Sequence, residues 1–325
     1  MIFEDLPTTP RAEELIDKGF SRAARAGRAK GGLEAQQSML TTAANILSDN
    51  LENVVTDWPD FEREVDPFYR ELADAIVGVD DLRQSLSRIT WANRQVRAIR
   101  EEYQPKLRKT DVEAARKHRK QAFARMADVV RQVEDDLLLV GEARDALRDL
   151  PDIRPDEPAI VVAGYPNVGK SSFVNDVTRA SNEIAQYPFT TRGVQIGHFT
   201  RNHIRYQIID TPGLLDRPEE ERNEIERQAV SALEHLADVV VFLVDASESC
   251  GYPLEAQLAL REELEERFAR RGIDLITVCN KSDRSTDVEA DEYMSVETGE
   301  NVERVLELAV DAVEFAGELP PSRGE

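Results

Sequence analysis

The stretch that decides the fold is Gly164-Tyr-Pro-Asn-Val-Gly169-Lys170-Ser171, which fits the pattern G-x-x-x-x-G-K-[ST]. The apolar run Ala159-Ile-Val-Val-Ala163 precedes it and reads as a buried parallel strand. The glycines let the backbone turn tightly, so that several N–H groups point at one anion. The pattern therefore predicts a phosphate-binding loop, in which Lys170 reaches the phosphates and the Ser171 hydroxyl binds Mg²⁺. The expected phosphate-binding residues are Gly164, Asn167, Val168, Gly169, Lys170, Ser171 and Ser172.

Strand-like and helix-like segments alternate through the second half of the chain. Apolar runs recur at 206–209, 239–244 and 273–278, and helical patterns fall near 170–178, 221–236, 254–270 and 300–315. This alternation predicts a doubly wound α/β sheet.

A second motif, Asp210-Thr-Pro-Gly213, ends the apolar run that includes Ile208 and Ile209. Ligands bind at the carboxyl edge of such a sheet, so we expect Asp210 to hold the Mg²⁺ ion and the Gly213 amide to meet a terminal phosphate. The next residue is Leu214, where many related enzymes place a glutamine that orients water. Since leucine cannot polarise water, we expect slow intrinsic hydrolysis.

A third motif, Asn280-Lys-Ser-Asp283, follows another apolar run. The Asp283 carboxylate can accept two hydrogen bonds from guanine, whereas adenine has no donors at those positions. Lys281 can cover the base plane, and Asn280 can tie this loop to the phosphate loop. A backbone amide near Ser295 and Val296 is expected to meet the guanine carbonyl, so the nucleotide should be GTP or GDP.

One threonine between the first two motifs is expected to ligate Mg²⁺ and sense the γ-phosphate. The segment is Tyr187-Pro-Phe-Thr190-Thr191. Thr191 is preferred because it lies nearer the strand predicted from Val194, and Thr190 is the alternative.

The first half of the chain reads as helices. Pro7 and Pro10 precede one helix, 33–56 forms a second, and Asp66-Pro67 opens a third. The next helix is bounded by Asp80-Asp81 and Tyr103-Gln104-Pro105. Apolar residues at steps of three and four from Phe123 to Val140 predict one last helix in a bundle core. Three prolines between Leu150 and Pro158 mark the boundary, which predicts a helical domain at 1–157 and a nucleotide-binding domain at 158–325.

Composition excludes several classes of protein. The chain has 63 acidic and 41 basic residues, a net charge of −22, and only eight lysines against 33 arginines, which resembles proteins of salt-accumulating archaea. Apolar residues make up 41%, so the chain is not disordered. No run approaches 18 apolar residues and the start has no signal-peptide pattern, so we expect a cytoplasmic protein with no membrane partner.

One segment is basic within this acidic chain. From Arg83 to Arg125 there are 13 Lys or Arg and 4 Asp or Glu, whereas 159–325 carries 16 bases and 32 acids. Such an island indicates contact with RNA phosphate; the alternative is a solvated helix face. Trp91 and Tyr103 are expected in the core. The candidate RNA-binding residues are Lys106, Arg108, Lys109, Arg116, Lys117, Arg119 and Lys120.

The phosphate loop, Tyr187 to Thr191 and Asp210-Thr-Pro-Gly-Leu-Leu215 together resemble the Obg group of translation-factor-class GTPases. The segments Pro10 to Asp17, Asp66-Pro-Phe-Tyr-Arg-Glu71 and Asp210 to Gln228 are similar to the nucleolar GTP-binding protein 1 family in its short archaeal form. This resemblance implies a helical bundle joined to a G domain, and a role in assembly of the large ribosomal subunit on pre-ribosomal RNA. Eukaryotic members carry a long C-terminal extension, so functions tied to it are not expected here.

The resemblance also implies a potassium site. In related GTPases that lack the water-orienting glutamine, an asparagine at the position of Asn167 helps to bind K⁺ beside the phosphates. The alternative is that Asn167 hydrogen-bonds its own loop. Two other functions stay open: a nucleotide-binding module with little turnover, and a GTPase acting on mature ribosomes or translation. Away from the ribosome, a monomer is expected.

Overall fold

The computed structural model describes residues 3–148, 150, 153–178, 183–185, 194–211 and 215–316. The chain divides into two compact units. One comprises Met1–Val65 with Ile76–Asp149, and the other comprises Asp66–Ala75 with Leu150–Glu325. The segment 66–75, which the sequence places among the helices of the first half, thus groups with the second unit.

The described residues before 149 form six helices. They are α1 (Ala12–Arg28), α2 (Gly32–Thr56), α3 (Pro67–Val77), α4 (Val79–Arg108), α5 (Val112–Arg131) and α6 (Glu134–Arg148). In the first unit, α2 packs against α1, α4 and α5, and α4 also packs against α5 and α6. Fully buried leucines on α1 and α2, such as Leu15, Leu40 and Leu47, fill the space between these helices. The first unit is therefore a helical bundle with an apolar core.

Helix α4 continues through Pro105, so the predicted end at 103–105 was wrong. Proline cannot donate a bond to the preceding turn and its ring crowds that turn, and the helix ends three residues later at Arg108. Leu107 is fully buried and anchors that last turn in the core.

The single helix predicted across Phe123 to Val140 is two helices, interrupted at Gln132 and Val133. The apolar stripe itself is confirmed, because Met126, Val130 and Val140 are fully buried. The signal for the break is the acidic triplet at 134–136, since carboxylates are favoured in the first turn of a new helix.

The second unit contains a seven-stranded sheet. Its strands are β1 (Ala159–Ala163), β2 (Glu183–Ala185), β3 (Val194–Arg201), β4 (Ile204–Asp210), β5 (Val239–Val244), β6 (Asp274–Cys279) and β7 (Glu292–Tyr293). They lie in the order β2-β3-β4-β1-β5-β6-β7. Strands β4, β1, β5, β6 and β7 are parallel, whereas β3 runs antiparallel to β4 and β2 antiparallel to β3. The α/β prediction is confirmed, with a mixed rather than wholly parallel sheet.

The register brings the predicted motifs to one edge of this sheet. Strand β1 lies at the centre, where Val162 pairs with Asp210 of β4 and Ala163 with Phe242 of β5. The loops that follow β1, β4, β5 and β6 leave from the same carboxyl edge, where ligands bind in such folds.

In the described part of this unit, four α-helices accompany the sheet: α7 (Lys170–Thr178), α8 (Glu224–Leu236), α9 (Leu254–Ala269) and α10 (Val302–Ala316). The segment 66–75 is bonded to this unit as well. The Tyr69 hydroxyl donates to the Ile153 carbonyl (2.5 Å) and accepts from the Ile153 amide (3.0 Å). Glu71 lies 2.6 Å from Nε2 of His235. These contacts explain why a piece of the N-terminal half belongs to the second unit.

Candidate functional site

The phosphate loop connects β1 to α7, as predicted, and only glycine fits at both of its ends. Gly164 has φ +129°, and a Cβ there would lie 2.4 Å from the Leu243 carbonyl oxygen. Gly169 has φ +109°, and a Cβ there would lie 2.2 Å from Nδ2 of Asn280. Both positions combine a backbone conformation that favours glycine with a close approach to a neighbouring strand or loop.

Lys170 begins α7 and is buried, with its ammonium folded back onto the loop. Its Nζ donates to the carbonyls of Gly164 (2.5 Å) and Tyr165 (2.9 Å). Burial lowers the pKa of Lys170, because desolvation disfavours the charged form. An anion in this loop would compensate that cost, and so the buried ammonium fits a phosphate-binding role.

Ser171 and Asp210 meet at the carboxyl edge of β1 and β4. The Ser171 hydroxyl donates to Oδ2 of Asp210, while Oδ1 of Asp210 is buried without a hydrogen-bond partner among the described residues. Burial raises the pKa of Asp210, and the bond from Ser171 opposes that rise. A hydroxyl beside a carboxylate with one unpaired oxygen is a donor set that suits Mg²⁺.

Asn280 joins the guanine motif to the phosphate loop. Its Nδ2 donates to the Val168 carbonyl (2.7 Å), and its Oδ1 accepts from the Val296 amide (3.2 Å). Asn280 is 3% exposed, so these bonds are shielded from water. The predicted tie between the two loops is therefore present, and it extends to the segment after β7.

Asp283 faces solvent. Its side chain is 28% exposed, and Nε of Arg284 lies 3.8 Å from its carboxylate. Ser295 is buried and its amide donates to the Glu300 carbonyl (3.0 Å), while the Val296 amide donates to Asn280. These two amides, which the sequence assigns to the guanine carbonyl, thus have protein acceptors here.

Asp245 was not singled out in the sequence. It follows β5 directly, is fully buried, and lies 2.7 Å from Nζ of Lys281. Burial raises its pKa, but hydrogen bonds from Lys281, Ser247 and Ser249 outweigh that effect and lower the pKa of Asp245 to about 2. Its position after an apolar strand is the signal that drew attention to Asp210 and Asn280, and it could have identified Asp245 too.

Asn167 is exposed at the tip of the phosphate loop and has φ +63°, in the left-handed region that asparagine tolerates. Its Nδ2 donates to the Cys250 carbonyl at 3.4 Å, outside its own loop. The donor side of the amide is therefore engaged, and this bond does not use the oxygen that a cation would need. Thr190, Thr191, Gly213 and Leu214 lie outside the described residues.

The structure divides the predicted RNA-binding residues into two groups. Lys106 pairs with Glu102 (2.8 Å) and lies over the Tyr103 ring, while Arg119 donates to Gln36 (2.8 Å) and stacks on Phe123. The side chains of the other five make no hydrogen bond or ion pair with the described part of the chain. They are Arg108, Lys109, Arg116, Lys117 and Lys120, all exposed near the junction of α4 and α5.

The two aromatic residues of this basic stretch differ. Tyr103 is buried as expected, but Trp91 is 43% exposed, so its predicted place in the core was wrong. The α4 residues that face the core at this level are the small Ala92 and the apolar Ile89 and Val96.

A strand–loop–helix with a glycine at each end of its loop, a buried lysine and a serine–aspartate pair, tied to an Asn-Lys-Ser-Asp loop, defines a P-loop GTPase. Two family models match the chain, one in its helical half and one in its nucleotide-binding half. Residues 3–154 match the NOG1 N-terminal helical domain, and residues 159–281 match the 50S ribosome-binding GTPase family.

Relatives agree with that division. An uncharacterized protein of Methanocaldococcus jannaschii, MJ1408, is 36% identical over 86% of this chain and 81% of its own length. Nucleolar GTP-binding protein 1 of Eremothecium gossypii is 32% identical over 86% of this chain, and that of Drosophila melanogaster is 37% identical over 72%. This chain belongs to the nucleolar GTP-binding protein 1 family, which confirms the resemblance read from its motifs. It spans 45% and 36%, respectively, of those two eukaryotic relatives.

Among the described residues, no helix combines the length and apolar character needed to cross a membrane.

Proposed function

We propose that this protein is a GTP-hydrolysing switch that acts on precursors of the large ribosomal subunit. The observation that carries the nucleotide part is the linked site at the sheet edge, where Asn280 holds the guanine motif against Val168 of the phosphate loop. The ribosomal part rests on the family and on the free cations of α4 and α5. Hydrolysis of GTP to GDP and phosphate would change the switch segments around residues 187–191 and 213.

Mg²⁺ would be held by Ser171, Asp210 and Thr191, with Thr190 as the alternative to Thr191. The ion would neutralise charge on the β- and γ-phosphates. Lys170 would release the carbonyls of Gly164 and Tyr165 to bind these phosphates. The Gly213 amide would meet the γ-phosphate, and Ser172 and the Val168 and Gly169 amides would complete the loop.

The guanine would be recognised by the Asp283 carboxylate, with the Lys281 stem against the base plane. An amide in the 295–297 segment would bind the guanine carbonyl after local rearrangement. Intrinsic turnover would be slow because Leu214 offers no polar group to water. Activation would then come from K⁺ at Asn167 or from the ribosomal particle.

The free cations near the α4–α5 junction would contact rRNA phosphate. Five exposed cations that have no side-chain partner in the described part of the chain can be neutralised by phosphate without breaking any ion pair seen there. Arginine contributes directed, bidentate hydrogen bonds, which remain useful in strong salt where diffuse attraction is screened. We also propose that the protein is cytoplasmic and is monomeric when free of the ribosome.

The test is sedimentation of cell extract from a strain carrying the tagged chain. An assembly factor is expected to travel with large-subunit precursors and not with polysomes. Lys170→Ala removes the phosphate-binding ammonium, so the switch can no longer cycle. The fraction of the variant that sediments with the particles should therefore differ from that of the native chain. Polysome association would favour a GTPase of mature ribosomes, and particle binding without phosphate release would favour a nucleotide-binding module.

A further inference from the structure

The loop 245–252, between β5 and α9, contacts both nucleotide-binding motifs, although no part of it belongs to either. Asp245 lies at its start and Tyr252 at its end. The Tyr252 ring packs on the Tyr165 ring of the phosphate loop, with centroids 4.6 Å apart. The Cys250 carbonyl accepts from Asn167 of the same loop. On the other side, the ammonium of Lys281 is held by Asp245.

A buried glutamine on α9 holds the two ends of loop 245–252. Oε1 of Gln257 accepts from the Asp245 amide (2.8 Å), and its Nε2 donates to the carbonyls of Asp245 (3.2 Å) and Tyr252 (3.0 Å). Gln257 therefore clamps both ends of the loop through backbone groups. The Asp245 carboxylate is not needed for these bonds.

That carboxylate bonds both the loop itself and Lys281. Its Oδ1 accepts from the amide (3.0 Å) and the hydroxyl of Ser247. Its Oδ2 accepts from the Cys250 amide (2.8 Å), the Ser249 hydroxyl (3.0 Å) and Nζ of Lys281 (2.7 Å). Nζ of Lys281 also donates to the Ser249 hydroxyl (3.0 Å). The Lys281 ammonium is thus held at two points by one loop.

Holding the ammonium also orders the rest of the lysine side chain. Lys281 has φ +58°, and its side chain is 20% exposed while that of Asp245 is fully buried. A free lysine samples many rotamers, and a bound base must restrict them. A lysine tethered at its tip presents its methylene stem in one place before the base arrives, which reduces the entropic cost of binding.

We propose that Asp245 is a positioning residue for guanine binding, which holds Lys281 so that its stem forms a preordered surface for the base. Ser249 is the second point of this hold. The inference rests on the proposed function, because it assumes that the Asn280-Lys-Ser-Asp283 loop binds guanine. It predicts that the effects of changing Asp245 and Lys281 on nucleotide affinity are not additive.

The experiment is a double-mutant cycle on GDP affinity, measured by calorimetry with the full-length protein. The four proteins are the native chain, Asp245→Asn, Lys281→Met and the double variant. Asp245→Asn is expected to weaken GDP binding about tenfold in the native background and by less than about twofold in the Lys281→Met background. An equal loss in both backgrounds, or no loss in either, would overturn the proposal.

Gln257→Met is the matched control, because it removes bonds to the loop backbone and none of the bonds to the Lys281 ammonium. Its effect on GDP affinity should be the same in the native and the Lys281→Met backgrounds. Where Asp245→Asn does not fold, Ser249→Ala replaces it. A loss of about two- to threefold is expected, and it should disappear in the Lys281→Met background. A loss that persists there would overturn the proposal.

ADP binding to the native protein separates this inference from the function on which it rests. Native protein that binds ADP as tightly as GDP would refute the guanine assignment itself. Native protein that prefers GDP, together with an additive cycle, would refute only the role of Asp245.

Discussion

At the scale of single residues, Asp283 is expected to decide which base binds. Asp283→Asn replaces two acceptors with an acceptor and a donor, which suits the 2-oxo group of xanthine better than the 2-amino group of guanine. The variant should lose most of its affinity for GTP and gain affinity for xanthosine triphosphate. Competition between the two nucleotides for the native and variant proteins measures this shift, and a variant that still prefers GTP would contradict it.

Asn167 is expected to determine the response to potassium. A cation between the β- and γ-phosphates would offset charge in the transition state, as an arginine finger does, with less than its ~10³–10⁵-fold effect. GTP turnover in K⁺ should exceed turnover in Na⁺ at equal ionic strength. Asn167→Ala should remove that difference.

The same variant also breaks the bond to the Cys250 carbonyl, so a control is needed. Tyr252→Leu weakens a different contact between the same two loops, the packing of Tyr252 on Tyr165, and keeps the Asn167 amide. It should retain the preference for K⁺. Equal native rates in the two salts would refute the potassium site and leave activation to the ribosomal particle.

At the scale of elements, the junction of α4 and α5 carries the RNA prediction. Changing Arg116, Lys117 and Lys120 to glutamine removes three cations whose side chains have no partner among the residues that the structure describes. Binding to large-subunit precursors should fall at least tenfold in moderate salt, while GTP affinity stays the same. The matched control removes three exposed arginines from α1, at 22, 25 and 28, and should bind normally. Equal losses of binding in both variants would mean that overall charge, and not the position of these three cations, determines binding.

The structure refines that prediction in a way the sequence could not. Composition predicts a basic island, but it does not tell which cations are already paired. Lys106 and Arg119 are engaged with Glu102 and Gln36, and these contacts come from residue pairs four and 83 positions apart. Long-range pairing depends on how helices pack. Sequence spacing can therefore reveal the Lys106–Glu102 pair but not the Arg119–Gln36 pair.

The motifs of the G domain were predictable because their positions depend on local sequence and not on long-range packing. Each follows an apolar strand, so the strand fixes where its first polar residue lies, and Gly169 and Asp210 lie where their motifs place them. Asp245 obeys the same rule but lacks a recognised motif, and so it was missed. Helix boundaries were harder. Pro105 signals an end that the buried Leu107 overrides, and the interruption after α5 depends on charges at 134–136 rather than on the apolar stripe.

At the scale of the whole molecule, charge and salt are expected to control stability. The net charge of −22 repels itself, and added salt shortens the range of that repulsion to a few ångströms. The midpoint of thermal unfolding should therefore rise between 0.1 and 2 M KCl. Differential scanning calorimetry over that range tests this, and a falling midpoint would contradict the interpretation of the composition as an adaptation to salt.

The grouping of residues 66–75 with the second unit has a consequence for the order of synthesis. This segment leaves the ribosome long before Ile153 and His235, the residues to which Tyr69 and Glu71 bond. The helices on either side of it can complete their own unit once residue 149 has emerged, while the segment itself still lacks its partners. We therefore expect the helical unit to assemble first in the nascent chain, and residues 66–75 to gain their partners in the second unit only later. A protein cut once at the boundary near 150 would carry that segment on the wrong fragment.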